Sequence, residues 1–242
     1  MEKENQKTQS NAINKLTYHN YLWYMIIFSI LGLIIEAIFS AIVSGKLERV
    51  NGPILGPLCV IYGLAAVIII ALLNKYKEHK IKLFVYGALL GATTEYIISF
   101  ILEATFGVKF WQRSWSAFNI NGRICLEYSI IWGILALLTI AVLKKYIDKI
   151  INKIQGKTRK ILDIILIIIL VLYIAITIWG ITVYTIRGKE TLNGKNYISN
   201  NNAIEKFQNM AFSNEIMSKL FPNMSILANT QNEILVKDIF NK

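Results

Sequence analysis

The sequence predicts an all-α protein, a polytopic transmembrane helix bundle of about five spans with a polar C-terminal tail. Of its 242 residues, 55% are hydrophobic and only 17% are charged, whereas about a quarter of a soluble domain is charged. The apolar residues are concentrated in blocks of roughly 20, the length that a helix needs to cross a bilayer. Most of the Lys and Arg residues flank these blocks, as topology signals do. This pattern excludes an ordinary soluble globular enzyme.

The predicted organisation has three parts: a polar N-terminal segment (1–20), a five-span transmembrane domain (21–186) and a C-terminal tail (187–242). Lipid cannot satisfy backbone polar groups, so we expect the spans to be helices packed as a bundle. The Asn-rich tail has weak helical periodicity and predicts either a small amphipathic appendage or a partly disordered segment. We see no internal repeat. The predicted spans are about 21–44, 53–73, 81–103, 121–143 and 161–186.

The Lys and Arg residues between the spans predict the orientation in the cell membrane. Fourteen of them fall in the N-terminal segment and in the connections between spans 2 and 3 and between spans 4 and 5, against eight on the opposite side. Because cations favour the cytoplasmic side, we expect a cytoplasmic N-terminus and a C-terminal tail outside. The net charge of +11 is therefore a topology signal, and we expect no nucleic-acid partner.

Several ionisable side chains are predicted in the outer half of the bundle. A charge near the middle of a bilayer costs a few kcal/mol even on lenient scales, so such residues usually face a cavity, water or a partner. One interpretation is a solute or ion pathway; the other is a set of structural pairs in which arginines lock the helices. The candidates are the carboxylates Glu36, Glu95, Glu103 and Glu127 and the cations Arg49 and Arg123.

Small residues at helical spacing predict close helix packing. Gly87 and Gly91 form a G-x-x-x-G pair in span 3, which lets another helix approach closely. Similar faces in spans 1 and 4 indicate that spans 1, 3 and 4 meet along them, with the carboxylates above the contact. The predicted packing residues are Gly32, Gly87, Gly91, Ser99, Ser129 and Gly133.

A segment with two Gly-Pro pairs precedes span 2 and cannot propagate a regular helix. It predicts either a short re-entrant loop lining a cavity or an ordinary exposed turn, because irregular backbone at membrane depth needs protein or water around it. Its residues are Asn51, Gly52, Pro53, Gly56 and Pro57.

The sequence offers no catalytic residue, metal site or cofactor site. Gly156-Lys157-Thr158 resembles the end of a phosphate-binding loop but lacks the earlier glycine and a preceding strand. We interpret it as a basic loop near anionic lipid, so this chain is not expected to be an enzyme or to hydrolyse ATP itself. His19 and His79 fall at the predicted cytoplasmic border, where we expect both to be solvated.

Several motifs between about Tyr21 and Leu143 resemble the bacterial ABC-transporter type IV permease family. The most specific is Asn121-Gly122-Arg123-Ile124-Cys125-Leu126, which follows Phe118-Asn119 and precedes Ser129 and Trp132-Gly133. The looser ones are Tyr62-Gly63, Ser29 with Gly32 and Glu36, and Glu95 with Ser99. The chain departs from the family pattern at Trp111-Gln112-Arg113-Ser114, where the family often has Trp-Asp-Tyr-Ser, and at Val60, where it has Pro.

The resemblance implies a permease that works with a separate ATPase subunit, and it implies no substrate. The residues leave two hypotheses open: a transport component with an outer-half polar cavity, or a non-transporting scaffold or assembly factor whose buried charges are structural. A membrane enzyme is a third option without a supporting nucleophile or metal set. Membrane lipid is an expected partner, and five spans are few for a complete transporter, so we also expect a homo-oligomer or hetero-oligomer.

Overall fold

A computed structural model describes residues 16–44, 58–195, 202–229 and 232–240 of the chain. Most of the predicted N-terminal segment and the whole Gly-Pro segment 51–57 lie outside the described residues, as does Arg49. The described part is predominantly helical, and the predicted all-α class is confirmed.

The first two helices form an antiparallel hairpin. Helix α1 covers Tyr18–Ser44, and α2 covers Val60–Leu73 and continues as a 3-10 turn, Asn74–Tyr76. Cys59 immediately before α2 is extended, with φ −103° and ψ 94°, so the helix begins well inside the predicted span 53–73. The apolar seam between α1 and α2 contains Tyr24, Phe28, Ala66 and Ile70, all buried.

The third and fourth helices form a second hairpin. Helix α3, Lys80–Phe106, ends at Gly107, whose φ of +68° and N–H bond to the Glu103 carbonyl form a left-handed cap. Strands β1 (Val108–Lys109), β2 (Asn119–Ile120) and β3 (Ile124–Cys125) follow. A continuous helix then covers Leu126–Ile151 and comprises α4 (Leu126–Leu137), a π-helical segment (Leu138–Leu143) and α5 (Lys144–Ile151).

This last helix begins at Leu126 instead of Asn121, the predicted start of span 4. Strands β2 and β3 pair antiparallel, and the residues between them include Asn121 and Gly122 with φ of +52° and +64°. Two consecutive left-handed residues with the sequence Asn-Gly favour a tight hairpin turn. The Asn-Gly pair therefore makes a β-turn, and the transmembrane helix starts after it.

Helix α6, Gly156–Leu192, has 37 residues. At 1.5 Å per residue it is about 55 Å long, much longer than a bilayer core of about 30 Å. It therefore extends beyond the predicted span 161–186 at both ends. Large apolar side chains are exposed along it, including Ile164, Ile168, Val171 and Leu172, as expected of a helix that faces lipid.

The C-terminal tail is folded onto the end of α6 and onto β1. It contains α7 (Ala203–Ala211), α8 (Asn214–Leu220), β4 (Ser225–Asn229), β5 (Asn232–Leu235) and α9 (Val236–Phe240). Strand β4 pairs with both β1 and β5, so β1, which follows α3 directly, ties the tail to the second hairpin. Their common core includes Val108, Tyr184, Phe212, Met217, Leu220, Met224, Ile226 and Val236.

Four of the described helical segments are long and apolar enough to cross a membrane: Tyr18–Ile38, Lys80–Phe106, Leu126–Ile151 and Gly156–Leu192. The second predicted span corresponds to the shorter apolar helix Val60–Tyr76. The chain therefore has the helices of a membrane protein, with one short helix packed among the longer ones.

Candidate functional site

The most concentrated set of charges among the described residues lies where α3 meets the segment that follows it. Glu95 and Glu103 lie on α3, and Arg113 and Arg123 come from the connection between α3 and α4. Arg113 Nη2 is 2.6 Å from Glu95 Oε1, and Arg123 Nη2 is 2.6 Å from Glu103 Oε2. We call these four side chains the charged cluster; each acid in it has its own arginine.

Glu95 is enclosed by partners on two sides. Its carboxylate accepts a hydrogen bond from Trp132 Nε1 at 3.2 Å in addition to the ion pair with Arg113. The Arg113 guanidinium stacks on the Tyr128 ring, 3.6 Å from the ring centre. Glu95 and Arg113 are both only 8% exposed. Removing either partner alone would leave a buried charge without compensation.

Besides its ion pair with Glu103, Arg123 contacts earlier residues of α3. Its Nη1 donates to Ser99 Oγ at 3.2 Å, and its guanidinium lies near the rings of Tyr96 and Phe100. Lys109 Nζ lies 3.9 Å from Glu103 as a second, more distant cation. Ser99, which the sequence predicts as a packing residue, therefore also binds an arginine.

Two of the predicted carboxylates lie apart from these arginines. Glu127, at the start of α4, accepts hydrogen bonds of 2.9 and 3.1 Å from Ser116 Oγ. Glu36 on α1 is hydrogen-bonded to the Tyr62 hydroxyl of α2. Within the described ranges no Lys or Arg forms an ion pair with Glu36, and Arg49 lies outside those ranges.

The small residues bring two pairs of helices into close contact. A Cβ at Gly91 or at Gly32 would overlap the side chain of Trp132 or Tyr62, respectively. A Cβ at Gly87 would overlap Ala136 of α4. The small face of α3 therefore meets α4, but that of α1 meets α2, and the expectation that spans 1, 3 and 4 meet along one seam is wrong. The aromatic rings of α2 and α4 fill the spaces that these glycines leave.

The two hairpins repeat one pattern of residues. Gly32 precedes Glu36 at the spacing at which Gly91 precedes Glu95, and Asn51-Gly52 precedes Tyr62-Gly63 at the spacing at which Asn121-Gly122 precedes Trp132-Gly133. The sequence signal for this repeat is an Asn-Gly pair followed by an aromatic-Gly pair. The two hairpins are therefore an internal repeat, and the expectation of none is wrong.

The contacts repeat as well as the residues. A Cβ at Gly63 would collide with the Met25 carbonyl oxygen, and a Cβ at Gly133 would lie 2.9 Å from the Phe84 carbonyl oxygen. Met25 and Phe84 occupy equivalent places, because each precedes the glycine of its own helix, Gly32 or Gly91, by the same interval. Each hairpin thus packs an aromatic residue on a glycine and bonds the same aromatic residue to a glutamate.

The equivalent aromatic residues face each other between the hairpins. The ring centres of Tyr62 and Trp132 are 6.5 Å apart, which is within the range of favourable aromatic pairs. Because Tyr62 bonds to Glu36 and Trp132 to Glu95, the order across the interface is acid, aromatic, aromatic, acid. Sequence reasoning identified both acids but missed both aromatic partners and the pairing of Arg113 with Glu95.

A second buried polar group lies at the opposite end of the helices. His19 Nδ1 is 2.6 Å from Asp163 Oδ1, and Trp23 Nε1 donates to the same carboxylate at 3.0 Å. His19 is 3% exposed, so the expectation that it is solvated is wrong, whereas His79 is exposed. Asp163 escaped notice because it stands alone in a long apolar block. Among the described residues, no group of three or more His, Cys, Asp or Glu side chains could hold a metal ion.

The comparisons with known proteins place the chain in a family. No curated protein and no solved structure matches it. The model of the family described as "Putative ABC-transporter type IV" matches residues 23–178, which include the first hairpin from residue 23 onward, the whole second hairpin and most of α6. This match covers more than half of the chain, and the protein belongs to that transporter family.

Proposed function

We propose that this membrane protein is a permease-like transport component that works with a separate ATPase subunit. The observation that carries the proposal is the order Glu36, Tyr62, Trp132, Glu95 across the interface between two equivalent helical hairpins. Transporters often contain repeated units, with substrate and coupling-ion sites at the interface between them. The family assignment supports the same function and suggests the ATPase partner.

In this proposal the two acids differ in their task. Arg113 holds Glu95 in a fixed ion pair, so Glu95 serves as the rigid side of the site. Glu36, which has a neutral hydroxyl partner, is the side that exchanges a cation or a proton. Energy would come from the ATPase or from an ion gradient, with the N-terminus cytoplasmic and the tail outside.

The scaffold hypothesis is the second candidate, and one observation favours it. Three of the four predicted acids, Glu95, Glu103 and Glu127, have an arginine or a serine as partner. Among the described residues, a hollow of about 340 Å³ lies at the other end of the molecule, beside His19 and Arg159. A scaffold would need the charged cluster only to fix the helices.

The test is purification of the full chain from its native membranes with its bound partners, followed by measurement of ATP hydrolysis. We expect ATPase activity to co-purify and Glu36→Gln to change the rate while the yield of folded protein stays constant. Glu215→Gln is the control. Glu215 is an exposed acid of the tail, and the hydrogen bond from Lys219 holds its pKa below the usual value, so it is charged at neutral pH.

Two outcomes would contradict the transport proposal. One is a purified complex that hydrolyses ATP no faster than the chain alone. The other is a Glu36→Gln variant whose partner hydrolyses ATP like the control, together with a Glu95→Gln variant that only lowers the folded yield. The second outcome is the one expected of a scaffold.

A further inference from the structure

The C-terminal tail contains an amphipathic helix, α7, whose apolar face is uncovered. Its apolar residues recur at intervals of three and four and therefore share one side of the helix. Ile204 is 63% exposed, Phe207 46% and Met210 70%, and none of the nine residues of α7, all of which the structure describes, is buried. Most of the stability of so short a helix comes from packing of its apolar face, so this face needs a partner.

Helix α7 is fixed to α6 at two levels. The ring of Phe207 stacks on that of Trp179, with the ring centres 5.6 Å apart. Two turns further along α6, Arg187 Nη1 donates to the Phe212 carbonyl at 2.6 Å, and Nη2 of the same guanidinium donates to Asn209. These contacts determine where along the transmembrane helix α7 lies.

Trp179 marks the place on α6 where the exposed apolar surface gives way to the tail. Ile178 and Trp179 are exposed, like the apolar residues before them. The next two residues, Gly180 and Ile181, are buried, and Ile181 and Tyr184 belong to the core of the tail. The lipid-facing part of α6 therefore ends where α7 is attached.

The length of α6 places this attachment at the boundary of the bilayer. Ile161 is the first large apolar residue after the basic start of α6, and Trp179 follows it by 18 residues, a rise of about 27 Å. The hydrocarbon core of a bilayer is about 30 Å thick, and tryptophan favours its edges. Helix α7 is thus at the level of the lipid headgroups.

The stacked rings make the lipid-facing surface of α6 continuous with the apolar face of α7. Trp179 and Phe207 both retain exposed surface, and Ile204 and Met210 lie one turn before and after Phe207. Amphipathic helices with this division of residues lie in the plane of a membrane interface. The opposite side of α7 carries its polar residues, Glu205, Lys206, Gln208 and Asn209.

The same end of the bundle carries exposed aromatic residues from another part of the chain. Trp115 and Phe118, in the connection between α3 and α4, are 68% and 72% exposed. Strand β1 of that connection pairs with β4 of the tail, so both parts of the chain lie at one end of the molecule. Aromatic side chains gather at the level of the headgroups, and this end has the side chains expected of a membrane boundary.

We propose that α7 lies in the membrane interface, with Ile204, Phe207 and Met210 inserted among the lipids of the leaflet at the C-terminal end of α6. Its partner is the bilayer surface, and the polar side of the helix faces water. Because β4 and β1 tie the tail to the second hairpin, this insertion anchors that end of the bundle on the membrane. The inference does not depend on transport by the protein.

Spin labels on two residues of α7 test the proposal. The full chain, with Cys59 and Cys125 replaced by alanine, is labelled at Met210→Cys or Lys206→Cys and reconstituted in vesicles of phosphatidylcholine and phosphatidylglycerol. Both residues are exposed, so in water the two labels would be equally accessible. We expect the label at Met210 to lie about 5–10 Å below the headgroup boundary. It should collide several-fold less often with a water-soluble nickel complex than the label at Lys206, and more often with oxygen.

Two matched charge substitutions test the role of the apolar face. Ile204→Asp places a carboxylate on it, and we expect the label at Met210 to become accessible to the nickel complex. Gln208→Asp adds the same charge to the polar side and should leave that label in lipid. Equal accessibility after both substitutions would contradict insertion of this face.

A measurement on the wild-type chain removes any dependence on the cysteine substitutions. A diazirine that partitions into the bilayer should, on illumination, label Ile204, Phe207 and Met210, and mass spectrometry locates the modified residues. Absence of labelling on α7, or nickel accessibility at Met210 equal to that at Lys206, would overturn the proposal. So would a label at Met210 that is shielded from both collision reagents or broadened by the label of a second copy, since a protein would then cover the face.

Discussion

The two helical hairpins share one packing scheme but differ, among the described residues, in the partners of their acids. In α1–α2, Tyr62 covers Gly32 and bonds to Glu36; in α3–α4, Trp132 covers Gly91 and bonds to Glu95. Among the described residues, only the acid of the second hairpin forms an ion pair with an arginine. The connection between α3 and α4 folds back and brings Arg113 to Glu95. The repeat thus conserves the apolar contacts, while among the described residues the ion pair with an arginine is found on Glu95 and not on Glu36.

This difference teaches that close packing and charge compensation are separate properties of the bundle. Glycine and aromatic residues set the distance between the helices in both hairpins. The ion pair with Arg113 then fixes Glu95, whereas the partner of Glu36 within the described part of the chain is the Tyr62 hydroxyl. The following substitutions test whether the hairpins are alike in packing and unlike in charge.

The largest effect is expected from Arg113→Gln, which would leave Glu95 buried without its cation. Breaking a buried pair from one side costs about 3–5 kcal/mol. The free energy of unfolding in a mild detergent titrated with a denaturing one should fall by about that amount. The double variant Glu95→Gln/Arg113→Gln should recover much of the loss, and a double variant as unstable as the single one would show that Arg113 acts in another way.

Gly32→Leu and Gly91→Leu test the shared packing. Each adds a side chain where a Cβ alone already overlaps the facing aromatic residue, and overpacking of this kind costs about 1–3 kcal/mol. We expect similar losses in the same unfolding assay. Thr93→Leu, which adds bulk at an exposed position of α3, is the control and should change little. A large effect at only one glycine would contradict the equivalence of the hairpins.

Tyr62→Phe tests the hydroxyl that contacts Glu36. The ring that packs on Gly32 is retained, and only the hydrogen bond is lost, so we expect about 1 kcal/mol of destabilisation. The change compared with it in the other hairpin is Glu95→Gln, which alters the acid while Arg113 stays in place. It should be the more harmful of the two, because it leaves Arg113 without its carboxylate, and unfolding free energies in the same detergent decide the order.

The smallest effect is expected from Glu36→Gln. The amide is the same size as the carboxyl and can still accept from Tyr62, and no described cation loses its partner. Stability should change by less than about 1 kcal/mol. A loss comparable to that of Arg113→Gln would mean that Glu36 has a cation partner after all, and would remove the charge difference between the hairpins.

The sequence predicted the helices better than it predicted which helices and side chains contact each other. Long apolar blocks predicted the transmembrane helices and the all-α class, because helix length is set by bilayer thickness. The small residues of α3 indicated close contact with α4. By contrast, the start of α4 was predicted too early because the Asn121-Gly122 turn was included in the apolar block, and His19 was placed in solvent because its partner, Asp163, is distant in the chain.

The sequence alone determined the membrane environment, the order of apolar helices and the acids that had to be shielded, because these follow from local composition and from the energy of charge in lipid. Tertiary structure alone decided which arginine met which acid, that Tyr62 and Trp132 face each other, and that the tail folds on α6 and β1. Pairings between distant residues depend on how helices pack and loops fold back, and no local pattern specifies them.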